Sequence, residues 1–147
     1  MQLIRSFEQS NASQVGFGIH AMLVTQVGVG SPIRHKLAGL GSLVEITNEL
    51  FAGLEAVIED PAGYGLLVID CDDFGGIDAG RKAYAMLGEI AQRMPVILIS
   101  SGCKDQQFPP DRSAPVELRA PLSSVSMRVG FEQIGRASCR ERVLMPV

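Results

Sequence analysis

The chain has 147 residues, 46% of them hydrophobic and 20% charged, with no tryptophan. That is the size of one domain with one core and too small for a multidomain enzyme, and a mean hydropathy of +0.20 separates it from a disordered tail. A net charge of −3 without a dense Lys/Arg block argues against a groove that binds nucleic acid through its phosphates. Cys71, Cys103 and Cys139 are odd in number and lack C-x-x-C spacing, which argues against a disulfide framework and a zinc site and fits a reducing, cytoplasmic setting. Glu8 and Gln9 stand where a signal peptide needs a continuous apolar run, and no stretch approaches a membrane span.

Residues 1–17 show no period and read as a loose leader. Ile19 to Thr25 is a short apolar run, a strand, that ends in the turn Gly28-Val29-Gly30. Ser31 and Pro32 follow as N-cap and first-turn residue of a helix carrying Ile33, Leu37 and Leu40. Leu43 to Thr47 predicts a second strand, and Leu50, Phe51, Leu54, Val57 and Ile58 a helix buried on one side. Leu66-Leu67-Val68-Ile69 is continuously apolar, the pattern of a parallel strand covered on both faces, and it ends at Asp70. After the acidic, Gly-rich loop from Asp70 to Asp78, with Asp78 as a helix cap, a helix with Ala83, Met86, Leu87, Ile90 and Ala91 inward is expected to run to about Met94. Val96 to Ile99 is a second doubly buried strand, ending in Ser100 and Ser101. Gly102 to Ser113 reads as a Pro-containing loop where the alternation would place another helix. Ala114 to Leu118 is a last edge strand, and Leu122 to Glu132 begins a last helix.

Strand-helix alternation over five strands predicts an α/β fold with a parallel sheet and right-handed crossovers. In such sheets the reacting groups collect at the carboxyl ends of the strands, which brings Asp70, Asp72 and Ser100 into one crevice. Residues 134–143, Ile134 to Val143, resemble the translation of a short sequencing adapter. The expected domain is therefore 18–133, with its last helix truncated and a non-native tail over 134–147. That stretch holds three arginines against one glutamate, so the rest of the chain is more acidic than the whole.

From Ile19 to Gln133 the pattern resembles the response-regulator receiver (CheY-like) family. The resemblance rests on Leu67-Val68-Ile69-Asp70 followed by Phe74-Gly75-Gly76-Ile77-Asp78-Ala79-Gly80, on Val96-Ile97-Leu98-Ile99-Ser100-Ser101, and on Leu118-Arg119-Ala120-Pro121-Leu122. It implies a three-layer, doubly wound, flavodoxin-like sheet of order 2-1-3-4-5, here with the helix between strands 4 and 5 reduced to a loop. It also implies Asp70 at the phosphoacceptor position, Ser100 at the switch hydroxyl and Asp72 as an acidic neighbour, with magnesium as the family's cation. Phosphoryl transfer to a carboxylate needs a divalent cation, a hydroxyl donor and a cationic side chain. Here Thr25-Gln26-Val27-Gly28 stands where the family has an acidic pair, and no Asp or Glu occurs from Gln9 to Val44. Ala120 precedes Pro121 where the family has Lys, and Arg119 is one place off.

These departures point to a degenerate, non-enzymatic receiver, with Asp70 a vestigial or weak phosphoacceptor. No cofactor is expected, and any magnesium would have to use Asp70 and Asp72. The expected partner is a signalling protein, a histidine kinase or an output protein, or a second copy covering the surface left by the lost helix. Neither nucleic acid nor a membrane is expected. In the bland reading Asp70 bonds loop amides, while Asp72, Asp73 and Asp78 form a solvated turn. A Rossmann-like reading through Gly28-Val29-Gly30 competes but lacks the third glycine, since Ile33 stands there. His20 and His35 have no nucleophile at a recognisable spacing and read as structural.

Overall fold

The computed structural model describes residues 18–103, 106–109, 114–121, 126 and 128–130. The leader over 1–17, the tail over 134–147 and most of the last helix lie outside the described residues. Five strands, β1 (His20–Val24), β2 (Leu43–Thr47), β3 (Leu66–Asp70), β4 (Val96–Ser100) and β5 (Val116–Arg119), form one sheet in the order β2-β1-β3-β4-β5. Every neighbouring pair is parallel. The helices are α1 (Pro32–Gly39), α2 (Leu50–Glu59), α3 (Ile77–Leu87) and the single turn α4 (Ile90–Arg93). Residues 126 and 128–130 are also helical.

Alternation along the strands sorts the core into two layers. Met22, Val24, Leu67, Ile69, Val96 and Leu98 pack with Leu54 and Val57 of α2 and with Ala83 and Leu87 of α3. Ala21, Leu23, Leu66, Val68, Ile97 and Ile99 pack with Ile33 and Leu37 of α1 and with Val116 and Leu118 of β5. Gly130 approaches Val116, Leu118 and Ile97 on that second face, which places the helical residues 128–130 beside α1's layer. α1 starts where the sequence indicates: Pro32 opens it, and the Ser31 hydroxyl accepts from the Ile33 and Arg34 N–H groups.

Four expectations need correction. In α2, Phe51 is 64% and Ile58 42% exposed, because the helix faces the sheet along Gly53, Leu54 and Val57. A Cβ on Gly53 would meet Val24, so the helix lies too close to β1 for the wider apolar arc to be covered. The helix expected to run to Met94 breaks at Gly88, whose φ of 58° leaves the helical region. Met86 is 57% exposed, since the buried stripe of α3 is Gly80, Ala83 and Leu87. Asp78 does not cap α3: Gly76 holds the cap position without a side-chain bond, and Asp78 in the first turn pairs with Arg81 at 3.8 Å.

No helix stands between β4 and β5 among the described residues. Instead Gln107 forms an antiparallel bridge with Glu117, its N–H donating to the Glu117 carbonyl at 2.8 Å and its carbonyl accepting at 3.0 Å. The edge of β5 is thus partly paired, which limits its use as a template for further strand addition. α3 meets the turn after β3 at Gly80, where a Cβ would overlap the Cys71 sulfur and crowd Leu98. Gly80→Ala is expected to lower stability in urea by about 1–3 kcal/mol despite alanine's better helix propensity. Adding Cys71→Ala is expected to restore most of the loss.

Candidate functional site

The chain leaves the carboxyl end of β3 through a tight 3-10 turn, Cys71–Phe74, which closes on Gly75 and Gly76 at φ 112° and 99°. Only glycine adopts such angles cheaply, and the pair swings the chain into α3. The strand end and this short turn carry three carboxylates, of which Asp70 and Asp73 converge on one hydroxyl and Asp72 faces another. Asp70 is half-buried at the strand end, and the Thr25 hydroxyl lies 3.2 Å from its Oδ2. The same hydroxyl lies 3.0 Å from Asp73 Oδ2, which also accepts the Gln26 N–H at 2.8 Å. Thr25 is fully buried and has one proton for two carboxylates. Burial, then the charge of Asp73, pushes the Asp70 carboxyl up to about 6, and the Thr25 bond only partly opposes this.

Asp72 points the other way. Its Oδ1 accepts the Ser100 hydroxyl at 2.6 Å and its Oδ2 the Ser101 N–H at 2.9 Å. The Ser100 bond, ahead of the smaller opposing effect of burial, holds the Asp72 carboxyl below its ordinary value. The structure therefore joins Asp72 with Ser100, and Asp70 with Thr25. The amides that bond the turn's carboxylates, from Gln26 and Ser101, reach Asp73 and Asp72, while Asp70 meets the Thr25 hydroxyl. Arg119 turns to the neighbouring loop, its Nε donating to the Cys103 carbonyl at 3.0 Å and its N–H to Gln106 Oε1 at 3.0 Å. The Ala120–Pro121 peptide that follows is cis.

Asp70 and Asp72, the pair that magnesium would have to use, face different partners, Thr25 and Ser100. Both Asp72 oxygens and Asp73 Oδ2 accept protein donors, on opposite flanks of the turn. Among the described residues no group of three or more His, Cys, Asp or Glu side chains is arranged to hold a metal ion. The dinucleotide reading meets a similar obstacle, because Ser31 already occupies the first amides of α1. Glu45 of β2 accepts the Tyr64 hydroxyl at 3.0 Å and faces His20 at 3.4 Å. His20 also stacks on Tyr64, a brace at the amino ends of the strands. Burial pushes the Cys71 thiol up to about 12, which disfavours the reactive thiolate.

Two features were missed in the sequence. Thr25 and Asp73 form the clamp between β1 and β3, for which Thr25 directly after an apolar strand was the only signal. Arg81 of α3 forms a two-pronged pair with Glu117 of β5 at 2.9 and 2.8 Å, and Glu117 is only 7% exposed. No spacing rule links residues that far apart.

No family model matches the chain, and no curated protein matches it significantly. Solved structures do. A response-regulator receiver domain protein from Clostridium thermocellum superposes with a TM-score of 0.58 at 18% identity, over 88% of this chain and 100% of that one. The chain has a receiver-like fold. A mutant of the anti-anti-sigma factor PhyR from Bartonella quintana gives a TM-score of 0.58 at 16% identity over 91% of this chain. The PhyR stress response regulator gives 0.53 at 18% over 90%. The chain spans about half the length of those two proteins, 54% and 50%. No helix among the described residues of the receiver-like domain is long and apolar enough to cross a membrane.

Two outcomes follow for these residues. Folding raises the Asp70 pKa from 3.8 to about 6, so the stability of its protonated form is complete below about pH 3.8 and is lost as pH rises through 6. Asp70→Asn is therefore expected to be more stable than wild type at about pH 7.5, by about 1–2 kcal/mol after allowing for partial solvation. Denaturation at a series of pH values should show the gap closing below about pH 4. Arg81→Ala strands the buried Glu117 carboxylate and is expected to cost about 2–4 kcal/mol in urea denaturation.

Proposed function

We propose that this chain is a degenerate receiver domain that works as a protein–protein interaction module in bacterial two-component or phosphorelay signalling. Asp70 is its vestigial phosphoacceptor, and no metal or enzymatic step belongs to its working state. The observation that carries this reading is the engagement of the carboxylates after β3 by the protein's own hydroxyl and amide groups. Arg119 is spent on the Cys103 carbonyl, so the cationic partner of a phosphoryl oxygen is missing from the position the family pattern assigns. The structural neighbours, a receiver domain protein, an anti-anti-sigma factor and a stress response regulator, support a signalling role rather than an enzymatic one.

The partner in this reading is another cytoplasmic signalling protein, a histidine kinase or an output protein, or a second copy of the chain. Incubation with acetyl phosphate and magnesium, read by intact mass, tests the central claim. Wild type is expected to gain no phosphoryl mass under conditions that modify an active receiver. A phosphoadduct that disappears in Asp70→Asn would overturn the degenerate assignment. Light scattering on the same sample separates a second copy from a different partner.

A further inference from the structure

We propose that Asp72 is a built-in latch that fixes Ser101–Cys103 and Gln106–Pro109, after β4, against the turn after β3, with no ligand required. Its two carboxylate oxygens take donors from consecutive residues, the Ser100 hydroxyl at 2.6 Å and the Ser101 N–H at 2.9 Å. Ser100 is fully buried, and its Oγ also accepts the Gly102 N–H at 3.1 Å. A hydroxyl has one proton, and in Ser100 that proton is committed to Asp72. Any group bound at Asp70 that needs it must take it from Asp72.

The latch extends beyond these contacts through a continuous hydrogen-bonded path. The Ser100 carbonyl accepts the N–H groups of both Cys103 and Ala120, at 3.2 and 3.1 Å. The Cys103 carbonyl accepts Arg119 Nε, Gln106 Oε1 accepts the Arg119 N–H, and Gln107 pairs in both directions with Glu117. At the far end the Glu117 side chain is gripped by Arg81 of α3. Ser101–Cys103 and Gln106–Pro109 therefore lie between two anchors, Asp72 and the β5 edge. Asp73 braces the opposite flank through Thr25 and Gln26, so the turn after β3 is itself held firm when Asp72 pulls on β4. The inference rests on this fold and its hydrogen bonds and is independent of the signalling role.

Amide hydrogen exchange on the full chain, resolved by residue, reads the latch directly. Asp72→Ala is expected to speed exchange roughly tenfold or more at Ser101 and Gly102, and also at Gln107 and Glu117, while Met22, Leu23 and Val68 stay protected. Asp72→Asn, which keeps one acceptor oxygen, and Ser100→Ala should fall between wild type and Asp72→Ala, and they decide the matter if Asp72→Ala loses protection at Met22 as well. Magnesium with beryllium fluoride, a phosphoryl mimic, should leave wild-type exchange over Ser100–Cys103 and Gln106–Pro109 unchanged. Acceleration confined to Ser101 and Gly102, unaltered exchange in all three variants, or a response of wild type to the mimic would each overturn the latch. The acetyl phosphate result bears on phosphorylation alone, so the two readings fail separately.

Discussion

Strand β3 is buried on both faces from Leu66 to Ile69, and the arrangement of the other elements follows from that burial. An apolar strand covered on both sides needs neighbours that hydrogen-bond it laterally and helices that cover it above and below. β1 and β4 supply the first, α1 and the pair α2 and α3 the second. Parallel neighbours force every return crossing onto a face of the sheet, so all five strands end on one side. Asp70, the first polar residue after the run, is carried to that side half-buried, and its raised pKa is the electrostatic result of the same packing.

Carboxylates within one turn respond in opposite directions because their surroundings differ. Asp70 loses water and faces the charge of Asp73, whereas Asp72 stays exposed and gains a short hydroxyl bond and an amide. The two acids of the four-residue turn, Asp72 and Asp73, face opposite flanks and tie neighbouring segments, so the turn works as a joint between β1, β3 and β4.

The remaining deviations share a cause. Apolar residues beyond what the sheet can cover, such as Phe51, Ile58 and Met86, stay exposed because close helix approach at Gly53 and Gly80 narrows the covered arc. Between β4 and β5, pairing of Gln107 with Glu117 satisfies backbone groups at the sheet edge without a helix.

Much of the fold was legible because periodicity is a local property. The continuous runs at Leu66 and Val96, the Ser31-Pro32 start of α1 and the Pro-containing gap after Ser100 each declare themselves within a few residues, and alternation of strands and helices then implies a parallel sheet. The same logic placed Asp70, Asp72 and Ser100 at one end of it. Which acid meets which hydroxyl was not legible, because Thr25 with Asp73 and Ser100 with Asp72 are separated by dozens of residues and joined by register and turn geometry. The Arg81–Glu117 pair is the clearest case: an exposed helix position and a strand position look unrelated until the crossover lays α3 against β4, within reach of β5. The sequence by itself determined the element types, the parallel topology and the end at which the site lies. Only the tertiary structure decided how the carboxylates are spent, since hydrogen-bond partners depend on distances of a few tenths of an ångström between segments remote in the chain.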